Sequence, residues 1–393
     1  MRKPRLLYLC AAGLLIAAGA FALQVSRVKL PEPYHTPPAN NRPQVIARPE
    51  GTKLVLPKGF EIEVYAEGFE RPRYMMLGPG RELLLSDSMP NGKGAVYVLN
   101  GKDRRKIIEG LDRPYGLALW KDYLYVAETT SLKRYKYDAK AMSAGKGEEV
   151  VPMPDFGQGH WTRTVQFDAE GKKMYLTIGS GSNVSTGEDA RRAAINRYNP
   201  DGTGHEIYAT GLRNVIGLRW YPGAATLWAA VQERDGLGDD LVPDYFTTVK
   251  QGGFYGWPYA YIGPHEEPRN KGEKPDLVSK TITPDVVLGA HVAVLDHIFY
   301  TGRQFPKQYQ GGALLALHGS WNRAKRVGYS VVWIPFKDGK PAGSTQDFLT
   351  GFMLDPDKRE VWGRPVGLLQ MPDGSVLVSD DGGNKIWRIS YKG

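Results

Sequence analysis

From about Leu56 onward, apolar residues come in runs of four or five, each followed by Gly, Asp or Pro turn residues and then a second apolar run. FERPRYMMLGPGRELLLSD from Phe69, LDRPYGLALWKDYLYVAE from Leu111, HWTRTVQFDAEGKKMYLTIG from His160, LRNVIGLRWYPGAATLWAAV from Leu212 and GRPVGLLQMPDGSVLVSD from Gly363 all share this form. Runs this short between turn residues read as buried strands rather than helices. A third strand-like piece follows several of them: AVYVLNGKD from Ala95, LKRYKYD from Leu132, INRYNPDG from Ile195 and KIWRIS from Lys385. The starts at Leu111, His160 and Leu212 lie roughly fifty residues apart, room for a four-stranded blade. A weaker unit begins near His297, HIFYTGRQFPKQYQGGALLALHG. The pattern predicts an all-β chain, a six-bladed β-propeller of four-stranded antiparallel blades over residues 56–393. A β-sandwich with chance similarity is the alternative, and the repeated strand–turn–strand form weighs against it.

Composition agrees with many short strands. The 393 residues include 47 Gly, 28 Pro, 22 Tyr and 9 Trp, residues that punctuate chains and fit pleated surfaces. The start, MRKPR followed by LLYLCAAGLLIAAGAFAL, has the basic head, apolar run and small-residue triplet of an export signal, over residues 1–25. The run is also long enough to stay in a bilayer as an anchor. A periplasmic or secreted protein is expected, either free or held at the inner membrane by that segment. Residues 26–55 are proline-rich and aperiodic, and read as an extended linker. Cys10 is the only cysteine, which excludes disulfides, thiolate metal sites and covalent haem in the mature chain. The net charge of +9 is spread along the sequence, and no basic run interleaved with aromatics points to nucleic acid.

A propeller restricts where chemistry can sit. The polar segments that open the repeats converge at one end of the axis, so His160, Arg213 and Arg364 are expected on one rim. Arginines around a histidine suit a ligand with several planar carboxylates, which guanidinium grips bidentately. The turn QERDGLGDDL from Gln232 is dense in oxygen ligands and suits a hard cation such as calcium. The glycine-rich IGSGSN from Ile178 lacks the lysine or helix of a phosphate cradle and reads as a turn. His291, His297 and His318 read as structural or peripheral.

His160, GLRN at 211–214, the acidic turn after Gln232, and GGFYGWP at 252–258 occur in the order and spacing of the soluble PQQ-dependent sugar dehydrogenases. Over roughly residues 56–391 the chain resembles this glucose/sorbosone dehydrogenase family, six-bladed propellers that use pyrroloquinoline quinone (PQQ) with calcium. The resemblance implies His160 as general base and contacts from Arg213 and Asn214 to the reactive edge of the cofactor. It implies Arg364 and Arg323 as further cofactor contacts, with Lys325 a competing alignment, and the main-chain carbonyls of Asp235 and Gly236 as calcium ligands. It also implies a small-molecule sugar substrate and an external electron acceptor, a quinone or a cytochrome. Three places depart from the family: Gly159 stands where glucose-oxidising members carry aspartate, Trp362 where a second arginine pairs with Arg364, and Arg113-Pro114-Tyr115 where a substrate-contacting glutamine is expected. A non-catalytic binding propeller and a calcium-dependent lactonase are the competing functions for this fold.

Overall fold

The computed structural model describes residues 29–101 and 103–393. The segment 1–25, read as signal or anchor, lies outside the described residues together with Cys10.

Six antiparallel sheets form the blades of a propeller. The innermost strands of blades one to six are Pro72–Leu77, Leu117–Trp120, Val165–Phe167, Asn214–Trp220, Val294–Phe299 and Pro365–Gln370. Each contacts the innermost strand of the blade before and after it, and the sixth contacts the first, so the ring is closed. Later strands of each blade step outward in chain order, as short turns between neighbouring strands require. The exception closes the fold: Phe60–Glu67 is the outer strand of blade six, antiparallel to Lys385–Tyr391 with Phe60 opposite Tyr391. The two ends of the domain thereby share one sheet.

Burial explains why the sequence repeats as it does. The second strands Leu83–Asp87, Met174–Ile178, Ala313–Leu317 and Val376–Asp380 are buried at every position. Covered by a neighbouring blade on both faces, they read as continuous apolar runs rather than alternating ones. Outer strands meet water, and Asp103–Leu111 is accordingly mostly exposed and charged. Between blades one and two, for example, Leu84 and Val96 pack with Leu117 and Leu124.

Blade three departs from the four-stranded expectation. Gly253–Phe254, from GGFYGWP, adds a fifth short strand parallel to Glu206–Thr210. The backbones approach so closely that a Cβ on Gly211 would lie 2.6 Å from Gly256 N.

Residues from 29 on run along the rim. Tyr34 N–H donates to Leu237 O at 2.7 Å, Asp239 N–H donates to Thr36 Oγ1 at 2.7 Å, and Gln44–Val45 pairs in parallel with Glu360–Val361. Arg326 ties this strap down by donating to Asn41 O at 2.7 Å.

Candidate functional site

A cavity of about 520 Å³ opens at the rim where blades three and four meet. Its wall includes His160, Asn183, Arg213, Glu233, Asp235 and His291. His160 and Arg213, set apart in sequence by a whole blade, therefore face one space.

His160 is held by the loop 178–183. Its N–H donates to Ser180 O at 3.1 Å, and its Nδ1 lies 2.9 Å from that same oxygen and 3.0 Å from Ser180 Oγ. The Ser180 hydroxyl donates to Ser182 O at 2.6 Å, so Oγ faces the imidazole as an acceptor. This network assigns the proton to Nδ1 and leaves Nε2 a lone-pair acceptor. Burial, reinforced by Arg213, lowers the imidazole pKa to about 3, so the ring is neutral throughout the physiological range. The close approach needs two glycines. A Cβ on Gly179 would lie 2.6 Å from His160 Cβ, and one on Gly159 would lie 2.4 Å from Gly181 O at a φ of +78°. An aspartate at 159 does not fit against this loop.

Arg213 is 5% exposed, and all three guanidinium nitrogens are engaged. Nε donates to Asn183 O at 3.0 Å, Nη1 to Glu233 O at 2.7 Å and Nη2 to Asn183 Oδ1 at 2.9 Å. Asn183 also joins the acidic turn, its Nδ2 donating to Asp235 O at 2.8 Å and its Oδ1 accepting from Asp235 N at 3.0 Å. Asn214 donates from Nδ2 to Gln232 Oε1 at 3.1 Å, and its buried Oδ1 has no partner among the described residues. Gly236 donates its N–H to Asn322 Oδ1 at 2.8 Å.

Acidic groups crowd the same wall. Burial raises the Glu233 carboxyl to about 8, and its buried Oε1 has no partner among the described residues. Asp244, raised by burial to about 6, accepts from Glu233 N at 2.9 Å. Burial alone would raise Asp235 as well, but the hydrogen bond from His291 and the charge of Arg213 hold it below its ordinary value. His291 Nδ1 lies 3.3 Å from Asp235 Oδ1 and its Nε2 2.9 Å from Gly238 O. Burial opposes the charged imidazole, but the hydrogen bonds to Asp235 and the Gly238 carbonyl outweigh it and raise the His291 pKa above its ordinary value. Among the described residues, no three His, Cys, Asp or Glu side chains converge as a metal site.

The other two expected cofactor contacts stand apart from this cavity. Arg323 turns to the strap side, donating to Asp239 O and pairing with Asp240 at 2.7 Å; Trp321, two residues earlier, is the residue of its loop that lines the cavity. Arg364 donates from Nε to His318 O at 3.2 Å. It belongs to a second buried cluster in which Arg73 and His318 hold the two oxygens of Asp381, His318 at 2.8 Å. Arg73 also stacks over Trp161, the residue that follows His160 in the chain, 4.9 Å from the ring centroid. Trp362 is core, donating to Gly351 O at 2.7 Å and packing against Phe352 and Trp387.

Sequence reasoning missed His291, Asn183, Ser180, Glu233 and Arg73 as site residues. The IGSGSN turn was a visible signal, since a glycine-rich loop joining two strands of blade three lets backbone press against a side chain. His291 carried no such signal.

A protein-family model described as TrAA12-like matches residues 54–243 and 267–392. A protein of Borreliella burgdorferi, described as uncharacterized, is 30% identical over 355 residues, 86% of this chain and 91% of the relative. A structure of Trichoderma reesei carbohydrate-active enzymes family AA12 superposes with a TM-score of 0.72 at 21% identity, over 89% of this chain and 100% of that one. The holo form of the pyranose dehydrogenase PQQ domain from Coprinopsis cinerea gives a TM-score of 0.72 at 20% identity, over 88% and 98%.

Proposed function

This chain belongs to the TrAA12-like family, and from that membership and the geometry of its rim we propose that it is a PQQ- and calcium-dependent dehydrogenase of an aldose or sorbosone-type sugar. The observation that carries the reading is His160, a half-buried neutral imidazole whose Nε2 has no protein partner among the described residues, in a cavity walled by Arg213.

The residues present fit both groups. In the cluster that Arg73 joins to Trp161, two guanidiniums, Arg73 and Arg364, face one carboxylate, Asp381, and the buried Arg73 Nε lacks a partner among the described residues. That surplus of buried positive charge suits a ligand bearing carboxylates. Arg73 and Arg364 would hold PQQ by those groups, and Arg213 with Asn214 would face its reactive edge. The Asp235–Gly236 turn would offer carbonyl oxygens to calcium, with the unpartnered Glu233 oxygen on the same wall. When bound, PQQ supplies a two-electron acceptor for a hydride, and calcium stabilises the resulting charge.

The chain's own part is proton handling and orientation. His160 would accept at Nε2 the proton of the sugar's anomeric hydroxyl while the C–H hydride of the carbon bearing it goes to the two-electron acceptor, so an aldose becomes its lactone. Arg213, locked by Asn183 and Glu233, presents fixed positive charge at no reorganisation cost. The electrons then pass to an external quinone or cytochrome, and the signal-like N-terminus supports a site of action in the periplasm or outside the cell.

Titrating the purified protein with PQQ and calcium, then adding a panel of aldoses while following the cofactor's absorbance, tests the reading. Saturable binding with sugar-dependent reduction is expected. His160→Ala should keep binding and lower kcat by about 10²- to 10⁴-fold. Absence of PQQ binding would favour a non-catalytic propeller.

A further inference from the structure

The loop 178–183 is not a passive turn. Ser180 contacts both polar elements of the cavity: its N–H donates to Arg213 O at 2.8 Å, its carbonyl accepts from the His160 N–H and faces Nδ1, and its hydroxyl oxygen faces Nδ1 as well. The flanking glycines permit this contact, since a Cβ on Gly179 would strike both His160 and Asn214 Oδ1, the latter at 2.4 Å. No carboxylate hydrogen-bonds to the His160 ring among the described residues.

We infer that Ser180 is the positioning residue of the site: its carbonyl and hydroxyl oxygens take the place of a carboxylate partner, fix His160 in the Nδ1–H tautomer and aim Nε2 into the cavity. The assignment rests on the proposed role of His160 as base, but the state of the imidazole is measurable whether or not the protein oxidises a sugar. A carboxylate at this point would stabilise the imidazolium, whereas a neutral carbonyl and hydroxyl orient the ring and stabilise its charge far less. The charged groups facing the ring are Arg213 from blade four and Arg163 from its own segment, which oppose protonation, and Asp235 from the acidic turn, which favours it. The two arginines outnumber the one carboxylate. Desolvation first, and then this excess of positive charge, keep the base unprotonated well into the acid range, at the cost of low intrinsic basicity.

The test uses the full chain labelled with ¹⁵N-histidine, without cofactor, followed by long-range ¹H–¹⁵N correlation from pH 8 to pH 4, with His160→Gln to assign the signal. A single Nδ1–H tautomer persisting to below pH 5 is expected. Ser180→Asp should move the titration of His160 upward by at least one pH unit and shift the acid limb of kcat/KM by the same amount. An Nε2–H tautomer, or a wild-type midpoint near the ordinary 6.5, overturns the assignment even if the variant fails to fold. A folded Ser180→Asp protein whose His160 titrates as in wild type also overturns it. Absence of PQQ binding with the Nδ1–H tautomer intact would count against the dehydrogenase alone.

Discussion

The guanidinium of Arg219 and the carboxylate of Asp296 meet side-on where the innermost strands of blades four and five converge, Nη2 to Oδ2 at 2.8 Å and Nε to Oδ1 at 3.2 Å. Asp296 also accepts the Leu368 N–H from blade six at 3.0 Å, and Arg219 lies over the Tyr74 ring of blade one, 5.2 Å from its centroid. One ion pair thus links four blades at the propeller's centre. Removing one partner leaves a buried charge uncompensated, so Asp296→Ala should lower unfolding free energy by about 3–5 kcal/mol, read from urea denaturation.

His297 has the opposite character. It is fully buried, it packs against Phe246 and Phe299, and neither ring nitrogen has a partner among the described residues. Burial, helped by Arg219, holds its pKa well below 6.5. Below pH 6.5 the unfolded chain gains a proton there that the folded chain refuses, so this residue's share of stability is lost as pH falls. The loss is up to about 1.4 kcal/mol per pH unit. His297→Leu should raise stability at pH 7 by about 1 kcal/mol and flatten the acid limb of a Tm–pH profile.

Gly159 stands where the family resemblance led to an expected aspartate. Its left-handed backbone and the contact a Cβ would make with Gly181 O predict that Gly159→Asp displaces the loop that holds His160. A loss of about 2 kcal/mol in stability is expected, with lower rather than higher sugar-dependent reduction. Thermal melts and the PQQ assay together check it.

Arg73 was not singled out from sequence, yet it shares Asp381 with His318 beside Arg364. Arg73→Lys and Arg364→Lys keep the charge but lose the planar fork, and each should weaken PQQ affinity by about tenfold or more, measured by equilibrium titration.

Asn322 ties the strap to the acidic turn, donating to Ala39 O and accepting from Gly236 N. Asn322→Ala frees that turn. Calcium affinity should fall by about 10-fold, measured by calorimetry, while the propeller's Tm shifts by only a few degrees.

Much of the fold was legible because the same physical problem recurs. A strand covered on both faces by neighbouring blades must be apolar throughout, so LLLSD, MYLTI, ALLAL and VLVSD announce themselves. The fifth strand of blade three was not legible, because Gly253–Phe254 is two residues long and is recruited by backbone proximity to Glu206–Thr210 rather than by its own pattern. The site divided similarly. His160 and Arg213 could be placed on one rim because each opens a repeat, and repeats superpose. Where Arg323 and Arg364 point could not be read, since side-chain direction depends on partners such as Asp240 and the His318 carbonyl from loops of no fixed pattern.

The sequence by itself determined the blade repeat, the end of the propeller at which polar side chains gather, and the presence of a histidine and arginines there, because burial and turn chemistry act locally. Tertiary structure decided the protonation state of His160, the consumption of Arg213 by Asn183 and the acidic turn, and the pairing of Arg73 with Asp381. Desolvation and hydrogen-bond geometry arise only when distant segments are brought within a few ångströms, and no local pattern encodes that distance.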